Sequence, residues 1–181
     1  MGLILNEAEF GRLLATFEQT AFRLELQPTY TEEFENAWLA RWLAGDRTPP
    51  TEVPEMAAWF EQLRALTAEG RTMTRVRVQD EPPTAYQRWE NWVGIWNRAA
   101  GEHLRRMTRA KAHDVGLLPA AGENDWWLLD NSRLIVMTFD ADGRRILSEL
   151  VEDADAVDQA CMWRDLAINH SVPDDDTVAG A

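Results

Sequence analysis

Asp125-Trp126-Trp127-Leu128-Leu129-Asp130-Asn131-Ser132-Arg133-Leu134-Ile135-Val136-Met137-Thr138-Phe139-Asp140-Ala141-Asp142-Gly143 holds two apolar runs, each followed by a cluster of turn-forming residues. Asp, Asn, Ser and Gly favour tight reversals because they hydrogen-bond the nearby backbone or tolerate positive φ. Trp126 to Leu129, Leu134 to Phe139 and Ile146 to Val151 are therefore expected to form a three-strand antiparallel meander, with Gly143 at positive φ in its second turn. Neighbouring side chains on a strand face opposite ways. One of Trp126 and Trp127 should enter a core while the other meets a helix, a ligand or a partner.

Beyond the meander, Val157, Ala160, Cys161, Arg164 and Ile168 recur at helical spacing and predict a closing helix from about Ala154 to Asn169. The acidic stretch from Pro173 to Ala181 is poor in large apolar residues and is expected to be a disordered tail.

Working back from the meander, Leu104 to Thr108 reads as a short strand followed by a loop through Gly116, Pro119 and Gly122. Pro82-Pro83-Thr84 opens a helix from Ala85 to about Ala100, and Gly101 ends it. Thr72 to Gln79 alternates as a strand with mixed faces. Glu55 to Glu69 is helical, with Met56, Trp59, Phe60, Leu63 and Leu66 along one side. A proline-rich connector, Thr48 to Pro54, precedes it, and Thr31 to Gly45 forms an earlier helix. Phe10, Leu13, Leu14 and Phe17 mark the first helix; Phe22, Leu24 and Leu26 then fit either a strand or a continuation of that helix, ended by Pro28.

These elements define an α+β fold: a mixed, largely antiparallel sheet ending in the meander, helices packed on it, and an amino-terminal helical layer. One domain is expected over residues 1–172, with 1–70 mainly helical and 71–172 containing the sheet.

The 181 residues carry a net charge of −13, which opposes non-specific binding to phosphate backbones. The longest apolar runs, such as Leu134 to Met137, are far short of the roughly 18 residues that span a bilayer. The amino terminus lacks the basic and apolar stretches of a secretory signal, and Asn6 stands where myristoylation expects Ser or Thr. A single cysteine, Cys161, permits no internal disulfide and suits a reducing cytoplasm; a buried packing role is expected for it. No cofactor is expected, for the chain contains no glycine-rich phosphate loop, zinc-protease motif, nucleophile elbow or calcium loop. His103, His113 and His170 are too scattered to suggest a metal site, and Asp125, Asp130 and Asp140 are as well explained by turns as by a metal.

Charge is uneven: residues 71–111 hold nine basic residues and four acids, so this segment is +5 within an acidic chain. Inside it, Tyr86, Glu90, Val93 and Asn97 share one sector of a helix, with Trp89 and Trp96 beside them. A polar stripe bordered by tryptophans suits a pocket wall, and suits equally a helix wedged between layers with a satisfied buried Glu. Arg77, Arg105 and Glu102 are placed beside the stripe, as an ion-pair network or an anion site. The expected ligand-binding set is thus Tyr86, Glu90, Asn97, Arg105, Arg77 and Glu102, with no catalytic residue assigned and Arg105 as the direct anion contact.

Several phrases together resemble an uncharacterised actinobacterial domain-of-unknown-function family: Phe17-Glu18-Gln19-Thr20-Ala21-Phe22-Arg23-Leu24-Glu25, Arg75-Val76-Arg77-Val78, Asn97 with Ala100-Gly101-Glu102, Asp125-Trp126-Trp127-Leu128-Leu129-Asp130, Phe139-Asp140-Ala141-Asp142-Gly143-Arg144 and Trp163-Arg164-Asp165. The likeness runs from about Phe10 to Pro173 and implies a neighbourhood of Xre-type helix-turn-helix regulators with small acidic partner proteins. Seventeen arginines against one lysine fit a GC-rich genome. The order of elements from Thr72 onward is similar to degenerate phospholipase-D-like domains. Active members of that superfamily carry His-x-Lys with an Asp after four further residues; here the nearest stretch, His103-Leu104-Arg105, has Ala110 in place of the Asp. The expected function is a non-enzymatic cytoplasmic module that binds a partner protein, with a small anionic ligand in the tryptophan-bordered cleft. The alternative is a small nuclease- or transferase-like enzyme acting on a phosphate-bearing substrate through Glu90, Glu102 and neighbouring arginines.

Overall fold

The computed structural model describes residues 2–174. Within these residues eight strands form one sheet: β1 (Leu3–Ile4), β2 (Thr20–Glu25), β3 (Thr72–Gln79), β4 (His103–Thr108), β5 (Asp125–Leu129), β6 (Arg133–Phe139), β7 (Arg145–Val151) and β8 (Val172–Pro173). Their order is β1-β7-β6-β5-β2-β3-β4-β8. The pairs β2–β3 and β3–β4 are parallel, and the other five are antiparallel. Among the described residues six α-helices cover the sheet: α1 (Glu7–Thr16), α2 (Glu33–Leu43), α3 (Pro54–Ala68), α4 (Ala85–Ala99), α5 (Arg109–Asp114) and α6 (Ala154–His170). The α+β class and the meander β5-β6-β7 are as the sequence predicts.

Strand parity separates two cores. Ala21, Met73, Trp127, Leu129, Ile135 and Met137 join residues of α1 to α4 in one cluster. Phe22, Leu24, Val76, Val78, Trp126, Leu128 and Leu134 join residues of α5 and α6 in the other. Trp126 and Trp127 thus serve opposite faces, as period-two geometry requires.

Three local readings change, and one is decided. Of the strand and helix readings of Phe22 to Leu26, the strand is correct: Thr20–Glu25 lies at the centre of the sheet between β5 and β3, while the rest of the first seventy residues is mainly helical. Residues Arg109–Asp114 form a short helix where a loop is expected; the Thr108 side chain accepts a hydrogen bond from the Lys111 amide at its start. Pro173 and Asp174 do not belong to a disordered tail, because β8 pairs with β4 and the Asp174 amide donates to the Leu104 carbonyl at 3.0 Å. The remainder of the expected tail, residues 175–181, lies outside the described residues. Cys161 is only half-buried.

The local chemistry that places α4 is legible in its ends. Thr84 caps the helix by accepting from the Gln87 amide, while the Gln87 side chain accepts in return from the Thr84 amide. This reciprocal arrangement satisfies donors that the first turn leaves without helical partners. Gly94 lets the middle of α4 lie close to the sheet, since a Cβ there would stand 2.9 Å from Leu104 Cδ1.

Candidate functional site

Strands β2 and β3 run parallel with Arg23 beside Arg75 and Glu25 beside Arg77, all four on the face covered by α4. Charged side chains at inward positions of central strands must be paired, because burial removes the water that would otherwise stabilise them. Glu25 meets all three arginines, at 3.1 Å from Arg23 Nη1, 2.6 Å from Arg75 Nη1 and 2.9 Å from Arg77 Nε. Arg75 Nε donates to Glu102 at 2.8 Å, and Asn97 Nδ2 donates to the other oxygen of Glu102 at 2.6 Å. Arg77 donates to the Glu90 carbonyl at 3.1 Å and lies 3.3 Å from its carboxylate. At the other end, Asp125 takes hydrogen bonds from Arg23 at 3.2 Å, the Tyr30 hydroxyl at 2.5 Å and the Leu26 amide at 2.8 Å.

These residues back a cavity of about 310 Å³, between the sheet and α4, whose other walls include Tyr30, Tyr86, Trp89, Trp127 and Phe139. The Arg23 guanidinium lies 5.5 Å from the ring centres of both Tyr30 and Trp127. Tyr86, also on the lining, donates its hydroxyl to Glu35 at 2.7 Å.

The electrostatics follow from burial and pairing. Burial raises the Glu25 carboxyl, but the three guanidiniums outweigh it and hold the group below the usual carboxylate range. For Glu90 burial wins over the pull of Arg77, the charge of Glu25 adds to it, and the carboxyl is pushed up to about 8. Burial likewise raises Asp125 and both tyrosines, Tyr30 and Tyr86. With Glu90 protonated, the remaining carboxylates Glu25, Glu102 and Asp125 match Arg23, Arg75 and Arg77 one for one.

Four polar atoms stand apart from this pairing. Arg23 Nε, Trp89 Nε1, Trp127 Nε1 and Asn97 Oδ1 are buried without a hydrogen-bond partner, and all four residues line the cavity. Buried polar groups are nearly always satisfied, so three unpaired donors and one acceptor on residues that line one cavity make it a candidate place for a polar guest.

Of the six residues expected to converge, Tyr86, Glu90, Asn97 and Arg77 line the cavity and Glu102 supports it through Arg75 and Asn97. Arg105 does not join them. Its side chain donates to the Ser171 hydroxyl at 2.8 Å, the Ser171 carbonyl at 2.7 Å and the Ile168 carbonyl at 3.1 Å, beneath α6. On β4 it is out of phase with Leu104, whose side chain lies against α4, so the alternation of the strand sends it to the other face. Trp89 borders the cavity as expected, whereas Trp96 packs against Trp92 at 5.0 Å outside it.

Sequence reasoning missed Arg23, Glu25, Arg75 and Asp125. Their signal was the pairing of charges at inward parity on two strands, Arg23 and Glu25 on one and Arg75 and Arg77 on the next. Within this cavity the expected focusing of an anion by the basic segment is also revised, since Arg75 and Arg77 are paired with Glu25 and Glu102. No group of three His, Cys, Asp or Glu side chains placed to hold a metal occurs among the described residues. Asp125, Asp130 and Asp140 serve separately: in the network, at the entry to β2, and in the turn before β7.

A model of the family described as Domain of unknown function (DUF6879) matches residues 8–179. No curated protein matches the chain in sequence. Among solved structures, the phospholipase D family member Nuc from Salmonella typhimurium is similar in fold, with a TM-score of 0.51 and 9% identity over 91% of this chain and 90% of that one.

Proposed function

The chain belongs to the DUF6879 family of domains of unknown function, and from that premise we propose that it is a non-enzymatic binding module whose cavity beneath α4 receives a small polar molecule. The observation that carries this reading is the set of four unpartnered polar atoms, Arg23 Nε, Trp89 Nε1, Trp127 Nε1 and Asn97 Oδ1, all carried by residues that line one cavity. Balanced charges behind them favour a flat, overall neutral guest rich in hydrogen-bond acceptors, of nucleobase or amino-acid size, over the anion that the basic segment suggests. The aromatic walls supply stacking and the polar atoms orientation, the usual division of labour in small-molecule sites.

The module transmits occupancy to a protein partner in this reading. Leu3, Ile4 and Ile146 are exposed at the β1–β7 edge, where an uncovered strand suits pairing with another chain. An Xre-type regulator in an actinobacterial cytoplasm is the partner and setting we propose, on the family resemblance, the single cysteine and the preponderance of arginine. No helix among the described residues is long and apolar enough to cross a membrane.

The runner-up is an enzyme acting on a phosphate-bearing substrate, favoured by the fold shared with a phospholipase D family member. Against it, none of the three histidines lines the cavity, and its arginines are engaged by carboxylates.

Thermal denaturation of the purified chain with a panel of nucleobases, nucleosides and free amino acids tests the proposal. A bound compound at a hundred times its Kd stabilises by about 2.7 kcal/mol, which raises Tm by roughly 5–10 °C in a chain of this size. Asn97→Ala and Trp127→Phe should abolish the shift while far-UV circular dichroism stays unchanged. A shift that survives both substitutions, or its absence across the panel, overturns the reading. Turnover of a phosphodiester that Glu90→Gln abolishes would favour the runner-up.

A further inference from the structure

Helix α4 has a second face. Tyr86, Glu90, Val93 and Asn97 turn toward the cavity, while Asn91, Trp92, Ile95 and Arg98 line a separate and larger groove of about 1000 Å³. Its lining also includes Gln79 and Thr108, the last residues of the parallel strands β3 and β4. In open sheets the carboxyl ends of parallel strands form a crevice where the backbone stops and loops leave room for a ligand.

We propose that this groove binds a nucleoside phosphate, its ring system against the tryptophan wall and its phosphates against the basic side chains. Three features support the assignment. The groove gathers Arg47, Arg88, Arg98, Arg106 and Lys111 in a chain of net charge −13, so the concentration of positive charge is local. Arg47, Arg88 and Lys111 have no carboxylate within ion-pair distance among the described residues. Asp80, one of the acids on the rim, is already engaged by Arg109 at 3.0 Å.

The groove already holds one anionic group of its own chain. Asp174 enters from β8 with its carboxylate buried, 3.1 Å from Arg98 and 3.2 Å from Arg106. Two guanidiniums converging on one carboxylate have the spacing that a phosphoryl group also satisfies, because both ligands present paired oxygens to planar donors. Lys111, Arg88 and Arg47 extend this cationic lining beyond the Asp174 carboxylate.

An aromatic component is required by the apolar part of the lining. Trp42 and Trp92 lie with ring centres 6.2 Å apart and Ile95 continues their surface. Trp42 Nε1 is buried without a hydrogen-bond partner. Inorganic phosphate would leave this wall bare, whereas a base fills it by stacking, which tolerates any flat ring. The Arg47 guanidinium already sits 4.6 Å from the Trp42 ring centre, so one face of that indole is occupied and the ligand's ring is assigned to the Trp92 side.

The groove is distinct from the cavity, and the experiment keeps the two apart. Titration calorimetry on the full chain with AMP, ATP, adenosine and inorganic phosphate should show binding of AMP or ATP at least tenfold tighter than adenosine or phosphate. The double substitution Arg88→Ala with Lys111→Ala should weaken nucleotide binding at least tenfold, and Asn97→Ala should leave it unchanged. Ile95→Asp, with its fold verified by circular dichroism, should weaken adenosine and AMP alike. No measurable heat with any nucleotide overturns the proposal, as does phosphate binding as tightly as AMP. Loss of binding in Asn97→Ala but not in the double variant would move the ligand to the cavity and overturn it too. A single-stranded oligonucleotide binding more than tenfold tighter than ATP would identify a nucleic-acid groove instead.

Discussion

The guanidinium of Arg77, carried by β3, lies 3.3 Å from the carboxyl of Glu90, carried by α4, and also donates to the Glu90 backbone carbonyl at 3.1 Å. One side chain thus ties the helix to the sheet through both a titratable group and a fixed one. The backbone bond persists whatever the protonation of Glu90.

That titration should be visible in stability. The Glu90 carboxyl is pushed up to about 8 from an ordinary value of 4.5, chiefly by burial. Between these values the folded chain holds a proton that the unfolded chain has released, so this group's contribution is complete below 4.5 and is lost as pH rises through about 8. Glu90→Gln is neutral at every pH and removes the descent. Urea midpoints measured from about pH 5 to about pH 9 should show the variant gaining on the natural chain by about 1 kcal/mol or more, one pKa unit being worth about 1.4 kcal/mol. Parallel curves would show that Glu90 titrates as an ordinary carboxylate.

Glu25 is the hub of the buried network, and Glu25→Ala leaves Arg23, Arg75 and Arg77 short of a shared partner. Removing one member of a buried ion pair costs about 3–5 kcal/mol, because the remaining charge stays out of water. Equilibrium urea unfolding followed by far-UV circular dichroism should register a loss of that size. A cost below about 1 kcal/mol, the range of exposed pairs, would mean that water enters and solvates the arginines.

Gly143 adopts φ +80°, and a Cβ there would stand 2.5 Å from the Thr29 carbonyl oxygen. The same residue accepts a hydrogen bond from the Thr31 amide at 2.9 Å, so the turn holds the segment leading to α2. Gly143→Val combines an unfavourable φ with a backbone collision and should destabilise by at least about 2 kcal/mol. An unchanged denaturation midpoint would contradict this geometry.

Duplex DNA should not bind the isolated chain at physiological salt. Phosphate contacts release counterions only where cations are laid along a surface, and a net charge of −13 opposes a rigid polyanion even though one groove is basic. Fluorescence anisotropy with a labelled duplex should stay flat, and tight, salt-sensitive binding would refute the expectation.

What the sequence disclosed follows from the range of each signal. The meander was legible because its turns are local: Asp130 and Asn131 have positive φ, Gly143 likewise, and their residue types announce it. Helix α4 was legible through Thr84 and its apolar period. β1, only two residues long, has no period to read, and its pairing with β7 is a contact between the ends of the chain. The cavity was half visible. Helical spacing placed Tyr86, Glu90 and Asn97 together, but the placement of Arg105 needed the phase of β4 against a sheet whose order crosses from β2 to β3 to β4. The partners Glu25 and Asp125 lie a hundred residues apart in sequence and meet through Arg23.

The absence of a side chain at Gly94 has an implication for signalling. A Cβ there would stand 3.3 Å from Arg77 Nη1, in the cavity's network, and 3.5 Å from Asp174 Oδ2, in the groove. Residues of both sites therefore approach the same point of one helix. Any molecule that displaced α4 from one side would change the free energy of occupancy on the other, and thermodynamic reciprocity requires the second ligand to return the influence in equal measure.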